Sequence, residues 1–182
     1  MAIRAEEDYR ERVEALILSL GIPVELVAAR SLELQAEPEL LVVAETGRDG
    51  RMHQLVPEAA DAWRAMRAAA RADGVVLEIV SAFRNLEQQV RIVSAKLARG
   101  QTPEQIFSAS APPGYSEHHS GRAVDLTTDG VAPLEPQFED TTAYSWLSKH
   151  AEGFSFFLSF PRGNRYGYIF EPWHWCFRRE MA

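Results

Sequence analysis

Apolar residues recur at helical spacing near the start of the chain. Five of them share one face: Ile3, Val13, Leu16, Ile17 and Leu20. Gly21 follows, at a position where helices commonly end. The pattern predicts an amphipathic helix over about residues 3–20.

The next stretch alternates as strands do. Residues 39–45 (ELLVVAE) and 51–56 (RMHQLV) predict two strands, and TGRDG between them predicts a hairpin turn. Pro57 begins an alanine-rich helix that ends at Gly74. A β-branched strand is predicted at 75–83, and Asn85 is a suitable cap for a helix up to Gly100.

The second half alternates between short elements and loops. The predicted elements are a short helix at 102–107, a loop at 110–121, a strand at 122–126, a loop at 127–138, a helix at 139–150, and aromatic strands in FSFFLSF, YGYIF and the terminal EPWHWCFRRE. Helices interleaved with short strands predict an α+β fold, in which helices flank a small, mostly antiparallel sheet.

Length and charge limit the function. The 182 residues suit one domain, and a net charge of −7 argues against binding to nucleic acid. No apolar run is long enough to span a membrane, and the first residues lack the pattern of a signal peptide. The chain as given is therefore expected in the cytoplasm, or in the periplasm or outside the cell if a leader has been removed. Cys176 is the single cysteine, which excludes an intramolecular disulfide and a cysteine zinc cluster.

Two histidines and an aspartate are candidate metal ligands. His118 lies in the Gly- and Ser-rich loop SEHHSG, and Asp125 lies on the strand that follows. Gly121 permits a backbone reversal that brings an imidazole and a carboxylate together. A catalytic zinc has three protein ligands and one open position, and His174 in EPWH can supply the third.

Glu171 is a candidate base, because it lies three residues before His174. Residues three apart in a regular strand face opposite ways, but Pro172 disfavours a regular strand and a bend would direct both side chains to one site. Arg84, at the end of a strand, could stabilise an oxyanion or bind a substrate carboxylate with its planar fork.

Three motifs together resemble the VanY-type D-alanyl-D-alanine carboxypeptidases of the LAS group of zinc metallopeptidases, which share a core with the hedgehog signalling domain. SAFRNLEQQ matches S-x-[FY]-R-x-x-x-x-Q, SEHHSGRAVD matches S-x-H-x-x-G-x-A-x-D, and EPWH matches E-x-W-H. The resemblance covers about residues 75–178, the expected catalytic core. Residues 1–74, the N-terminal helices and hairpin, match no motif, so we expect one domain over 1–182. The lead-in PRGNRYGYIF is about two residues shorter than usual, and WCFRRE departs from the family continuation.

The resemblance implies a complete set of roles. One Zn²⁺ per chain would be bound by His118, Asp125 and His174, and Glu171 would act as general base on the zinc-bound water. Arg84 would stabilise the transition state, and Ser116 would form a hydrogen bond with the substrate. The expected reaction is removal of the C-terminal D-alanine from peptidoglycan stem peptides, with either D,D or L,D specificity.

Two other functions are compatible with parts of this pattern. Peptidoglycan endopeptidases of the endolysin type share the S-x-H motif, but they usually carry aspartate in place of Glu171. A binding module that holds zinc without hydrolysis would be expected to lack the base. Outside the motifs, His53 and His150 are interpreted as structural, Cys176 as a buried thiol, and His119 as a residue behind the ligands or on the surface.

Overall fold

The structure is a computed structural model that describes residues 2–30 and 32–179. The helices are α1 (Ala2–Ser19), α2 (Val24–Ala28), α3 (Pro57–Ala72), α4 (Leu86–Ala98), α5 (Pro103–Phe107) and α6 (Thr142–His150). The strands are β1 (Val42–Thr46), β2 (Met52–Leu55), β3 (Glu78–Ser81), β4 (Ala123–Thr127), β5 (Phe156–Leu158) and β6 (His174–Phe177). Within these described residues, 3₁₀ helices cover Glu117–Ser120, Pro136–Asp140 and Ala151–Phe154.

The predicted N-terminal helix is confirmed as α1, and its apolar face is buried. Val13 and Ile17 lie in an apolar cluster with residues of α2, α4 and α5. Ile3, also predicted for this face, lies outside the side chains that the structure describes. Helix α2 was not predicted from the sequence; its five residues are too few to show a helical period.

The hairpin and the two helices that follow are confirmed. Strands β1 and β2 pair antiparallel, and α3 begins at Pro57. Asn85 caps α4, accepting a hydrogen bond from the backbone of Gln88, whose side chain in turn bonds the backbone of Asn85. This reciprocal capping box fixes the direction in which α4 leaves the preceding loop.

A four-stranded antiparallel sheet, in the order β3-β4-β6-β5, lies at the centre of the fold. It forms a second sheet beside the β1-β2 hairpin, so the α+β prediction holds with two small sheets. A larger apolar cluster joins the sheet to α3 and α6 through residues such as Trp63, Leu126 and Phe156. No helix in the described part of the chain is long and apolar enough to cross a membrane.

The predicted strand YGYIF is wrong, because residues 166–170 form a loop. The side chain of Asn164 accepts hydrogen bonds from the backbone of Tyr166 and Tyr168 and donates one to the Tyr168 carbonyl. Gly167 has a left-handed φ of 71°. The alternation of aromatic residues resembles a strand, but an asparagine-centred turn organises the backbone instead.

Candidate active site

The sheet brings residues from three distant motifs into one row. Asp125 on β4 lies opposite Ser81 of β3 on one side and opposite His174 of β6 on the other. Directly opposed residues in an antiparallel pair have their side chains on the same face. The register therefore places the His174 ring beside the Asp125 carboxylate.

His118 reaches the same point from the loop before β4. This loop forms the 3₁₀ helix Glu117–Ser120, which ends at Gly121 with a φ of 65°. The backbone N–H of Arg84 donates to the His118 carbonyl (3.2 Å), and His118 Nδ1 lies 2.7 Å from the Ala82 carbonyl oxygen. The loop is thus fastened to the segment after β3, and the other ring nitrogen of His118 faces Asp125.

The three predicted metal ligands come together. One ligand atom from each of His118, Asp125 and His174 lies within 4.8 Å of the others, and all three residues are buried. His118 Nε2 is 3.1 Å from Asp125 Oδ2, and His174 Nδ1 is 2.9 Å from Asp125 Oδ1. Ligand atoms about 2.0–2.2 Å from a tetrahedral zinc lie roughly 3.4 Å apart, so this donor set fits zinc.

The charge states of Asp125 and His118 suit a cation site, whereas His174 must lose a proton before it can bind a metal ion. Burial works against an ionised Asp125, but the two histidines outweigh it and lower the pKa of this carboxyl. Burial lowers the pKa of His118. Burial also acts to lower the pKa of His174, but hydrogen bonds to Asp125 and Glu117 outweigh burial and raise this pKa to about 10. A metal ion binding at His174 Nδ1 would displace the proton that this nitrogen shares with Asp125.

Glu171 lies on the turn that leads into β6. The backbone N–H of His174 donates to the Glu171 carbonyl (3.1 Å), which closes the bend predicted at Pro172. Both side chains line one cavity. Burial raises the pKa of Glu171 to about 7; the charge of His174 acts to lower this pKa, and the charge of Asp125 acts to raise it. A carboxylate with this pKa is suited to accepting and returning a proton near neutral pH.

Arg84 is held by two other residues of its own motif, Ser81 and Gln89. Its guanidinium donates to Gln89 Oε1 (2.7 Å) and to Ser81 Oγ (3.1 Å), and it lies 3.9 Å from Asp125 Oδ2. Gln89 in turn donates to the Ala111 carbonyl (2.6 Å). The spacing S-x-x-R-x-x-x-x-Q is therefore a physical unit that fixes a cation beside the three candidate ligands.

His119 is completely buried, so the surface alternative of its interpretation is wrong. Its Nε2 accepts a hydrogen bond from the Gly114 backbone (3.1 Å), so Nδ1 carries the proton and donates to the Arg84 carbonyl (2.6 Å). Burial lowers its pKa to about 4. A neutral His119 thus supports the backbone of Arg84, and both of its ring nitrogens are bonded to backbone groups and not to the candidate ligands.

A cavity of about 380 Å³ opens over these residues. Ser116 is buried in its wall, and its hydroxyl accepts a hydrogen bond from the His118 backbone (3.4 Å). Lys96 also lines the cavity, where its ammonium donates to Ser110 Oγ (2.6 Å). Among the described residues, the wall of this cavity contains one arginine, Arg84, and one lysine, Lys96.

Glu117 and Lys96 were not identified from the sequence. Glu117 accepts a hydrogen bond from His174 Nε2 at 2.9 Å, yet it occupies a variable position of the S-x-H motif. Lys96 follows Gln89 by seven residues on α4, so both lie on one helical face. That spacing is a signal from which Lys96 could have been found.

Comparison with known proteins gives a consistent family. A family model described as VanY, D-alanyl-D-alanine carboxypeptidase, matches residues 52–180. The family match therefore extends further toward the N-terminus than the motifs, which begin near residue 75. A D-alanyl-D-alanine carboxypeptidase of Enterococcus faecalis is 34% identical over 117 residues, covering 59% of this chain and 42% of that protein. The chain thus spans less than half the length of this relative.

Solved structures share the fold. The LdcB LD-carboxypeptidase, whose structure concerns peptidoglycan recognition, matches with a TM-score of 0.70 at 28% identity, over 78% of this chain and 69% of its own. A vancomycin-resistance D,D-pentapeptidase, VanY from a VanB-type cassette, was solved in complex with Zn(II). It matches with a TM-score of 0.59 at 29% identity, and the match covers 81% of this chain and 88% of that chain. The zinc in that complex agrees with the donor set described above.

Proposed function

The chain belongs to the VanY family of D-alanyl-D-alanine carboxypeptidases, and from this premise we propose that it is a zinc-dependent carboxypeptidase that removes the C-terminal D-alanine from peptidoglycan stem peptides. The observation that carries the proposal is the buried group of His118, Asp125 and His174 beside Glu171 in one cavity. One Zn²⁺ per chain is the expected cofactor.

Each residue has a distinct part in the proposed reaction. Bound zinc would supply a Lewis acid that lowers the pKa of water and polarises the scissile carbonyl. Glu171 accepts the proton of the attacking water and returns it to the leaving amine. Arg84 donates hydrogen bonds to the developing oxyanion, and Ser116 binds the substrate from the cavity wall.

The cavity favours a carboxypeptidase over an endopeptidase. Arg84 is already hydrogen-bonded to Gln89 and Ser81. Lys96 is hydrogen-bonded only to the neutral hydroxyl of Ser110, and no carboxylate among the described residues lies within 4.0 Å of its ammonium. A second cation in the wall suits a substrate that ends in a carboxylate. The presence of Glu171 as a candidate base supports hydrolysis, because a module that only binds zinc would not need one.

The test is to incubate the zinc-loaded protein with stem tripeptide, tetrapeptide and pentapeptide and to identify the products by mass. Release of one D-alanine from the pentapeptide assigns D,D specificity, and release from the tetrapeptide assigns L,D specificity. Substrates with an amidated C-terminus serve as the control and should be cut poorly. Internal cleavage of amidated or cross-linked peptides, without release of D-alanine, would favour the endopeptidase.

A further inference from the structure

Glu117 makes a long-range contact that the proposed reaction does not use. It begins the 3₁₀ helix Glu117–Ser120, immediately before His118, yet its side chain turns to a residue 57 positions later. Glu117 Oε2 lies 2.9 Å from His174 Nε2, and its side chain is 19% exposed. The contact joins the loop that carries one candidate ligand to the strand that carries another.

The two nitrogens of His174 have different partners. Nε2 faces Glu117, and Nδ1 faces Asp125 Oδ1 at 2.9 Å. Since an ionised carboxylate only accepts hydrogen bonds, Nε2 must carry a proton for the bond to Glu117 to form. By the same rule Nδ1 beside Asp125 carries a proton in the absence of metal, and this is the proton that a metal ion at Asp125 would replace, while Nε2 keeps its proton for Glu117.

His118 shows the opposite arrangement in the same site. Its Nδ1 is bonded to the Ala82 carbonyl, so its Nε2 faces Asp125. The two histidines therefore present different nitrogens, and in each the choice is set by the partner of the other nitrogen. For His118 that partner is backbone, which no substitution removes; for His174 it is the side chain of Glu117.

We propose that Glu117 is a positioning residue for the metal: it fixes the ring of His174 with Nδ1 toward the site and increases the affinity for zinc. The proposal rests on the zinc site of the proposed function, but it concerns metal binding and not the hydrolytic step. Glu117 contacts the ring edge opposite Nδ1, so it cannot take the place of Glu171 at the reacting water. Partners of this kind commonly change metal affinity by 10- to 100-fold.

The test compares Glu117→Ala and Glu117→Gln with the wild type. Glu33→Gln is the matched control, because Glu33 lines the groove next to Glu117 but is 72% exposed and pairs with Arg165. The zinc dissociation constant is measured by competition with a chromophoric chelator. The nitrogen of His174 that binds zinc is assigned from the ¹⁵N shifts of its ring.

We expect the alanine variant to bind zinc about 10- to 100-fold more weakly. Glutamine keeps an acceptor oxygen without the charge, so its loss should be smaller, and Glu33→Gln should match the wild type. If Glu117→Ala does not fold, as judged by circular dichroism, the glutamine variant decides. Dissociation constants within twofold of the wild type for every folded variant, with zinc still on Nδ1, would overturn the proposal. The result is independent of activity, so a protein that cleaves no stem peptide can still confirm or refute the role of Glu117.

Discussion

Two glutamates near His174 have opposite environments. Burial acts to raise the pKa of Glu117, but the hydrogen bond from His174, together with the charges of His174 and Arg178, outweighs burial and lowers the pKa. Burial raises the pKa of Glu171 to about 7. Environments that separate the pKa values of two acids often assign them different roles. Here one glutamate stays ionised as a hydrogen-bond acceptor, and the other is suited to proton transfer.

Replacing Glu171 tests the assignment of the base. Glu171→Gln keeps the size of the side chain but removes its capacity to accept the proton, so kcat should fall by roughly 10²–10⁴. Zinc content should stay unchanged, because Glu171 is not among the proposed ligands. Steady-state kinetics and elemental analysis of the same sample measure both quantities. Near-normal turnover in the variant would exclude Glu171 as the base.

The kinetics of Arg84 variants distinguish the two roles proposed for this residue. If its guanidinium stabilises the oxyanion, Arg84→Ala should lower kcat by about 10²–10³ with little change in KM. Arg84→Lys keeps the charge but cannot bond Gln89 and Ser81 with the same planar fork, so it should recover only part of the rate. A rise in KM with kcat unchanged would instead make Arg84 the residue that binds the terminal carboxylate.

At the scale of elements, the site depends on the turn between the 3₁₀ helix Glu117–Ser120 and β4. Gly121 adopts a left-handed φ of 65°. A β-carbon there would lie 2.9 Å from Leu41 Cδ2 and 3.3 Å from both Pro38 Cγ and Val56 Cγ1. The turn that presents His118 is therefore packed against the segment around β1.

Gly121→Ala should reduce both stability and zinc affinity. The left-handed backbone costs about 1–2 kcal/mol for a residue with a β-carbon, and the crowding adds about 1–3 kcal/mol. Gly100→Ala is the control, because Gly100 has a φ of 81° with nothing within 4 Å of the added atom. Denaturant unfolding measures the free energy of each variant. Equal losses at the two positions would show that packing around Gly121 does not matter.

The elements differ in how far the sequence predicts them. Capping and periodicity predict α1, α3 and α4, because their signals are local. The 3₁₀ helix Glu117–Ser120 was expected to be loop, since its glycine and serine residues indicate a turn without specifying its hydrogen bonds. The register of Asp125 with His174 depends on residues far apart in the chain, so spacing alone predicts which residues meet but not which ring nitrogen faces the metal.

At the scale of the whole molecule, the N-terminal residues support the site although they carry none of its motifs. Val13 of α1 approaches Gly114 so closely that a β-carbon on the glycine would lie 2.6 Å from the valine methyl groups. The Gln35 backbone donates to the Gly114 carbonyl (2.8 Å). Gly114 belongs to the loop that leads to Ser116 and His118, so the N-terminal segment fixes the position of this loop. That contact could not be predicted, because it joins two segments with no shared pattern.

A catalytic zinc held between His118, Asp125 and His174 is the proposal on which the proposed roles of the other residues depend. The most direct measurement is a crystal structure of the zinc-loaded protein with diffraction recorded at the zinc absorption edge. We expect one anomalous peak per chain, about 2.0–2.2 Å from His118 Nε2, an Asp125 oxygen and His174 Nδ1. A peak at any other group of residues, or a protein that retains no zinc after loading, would contradict it.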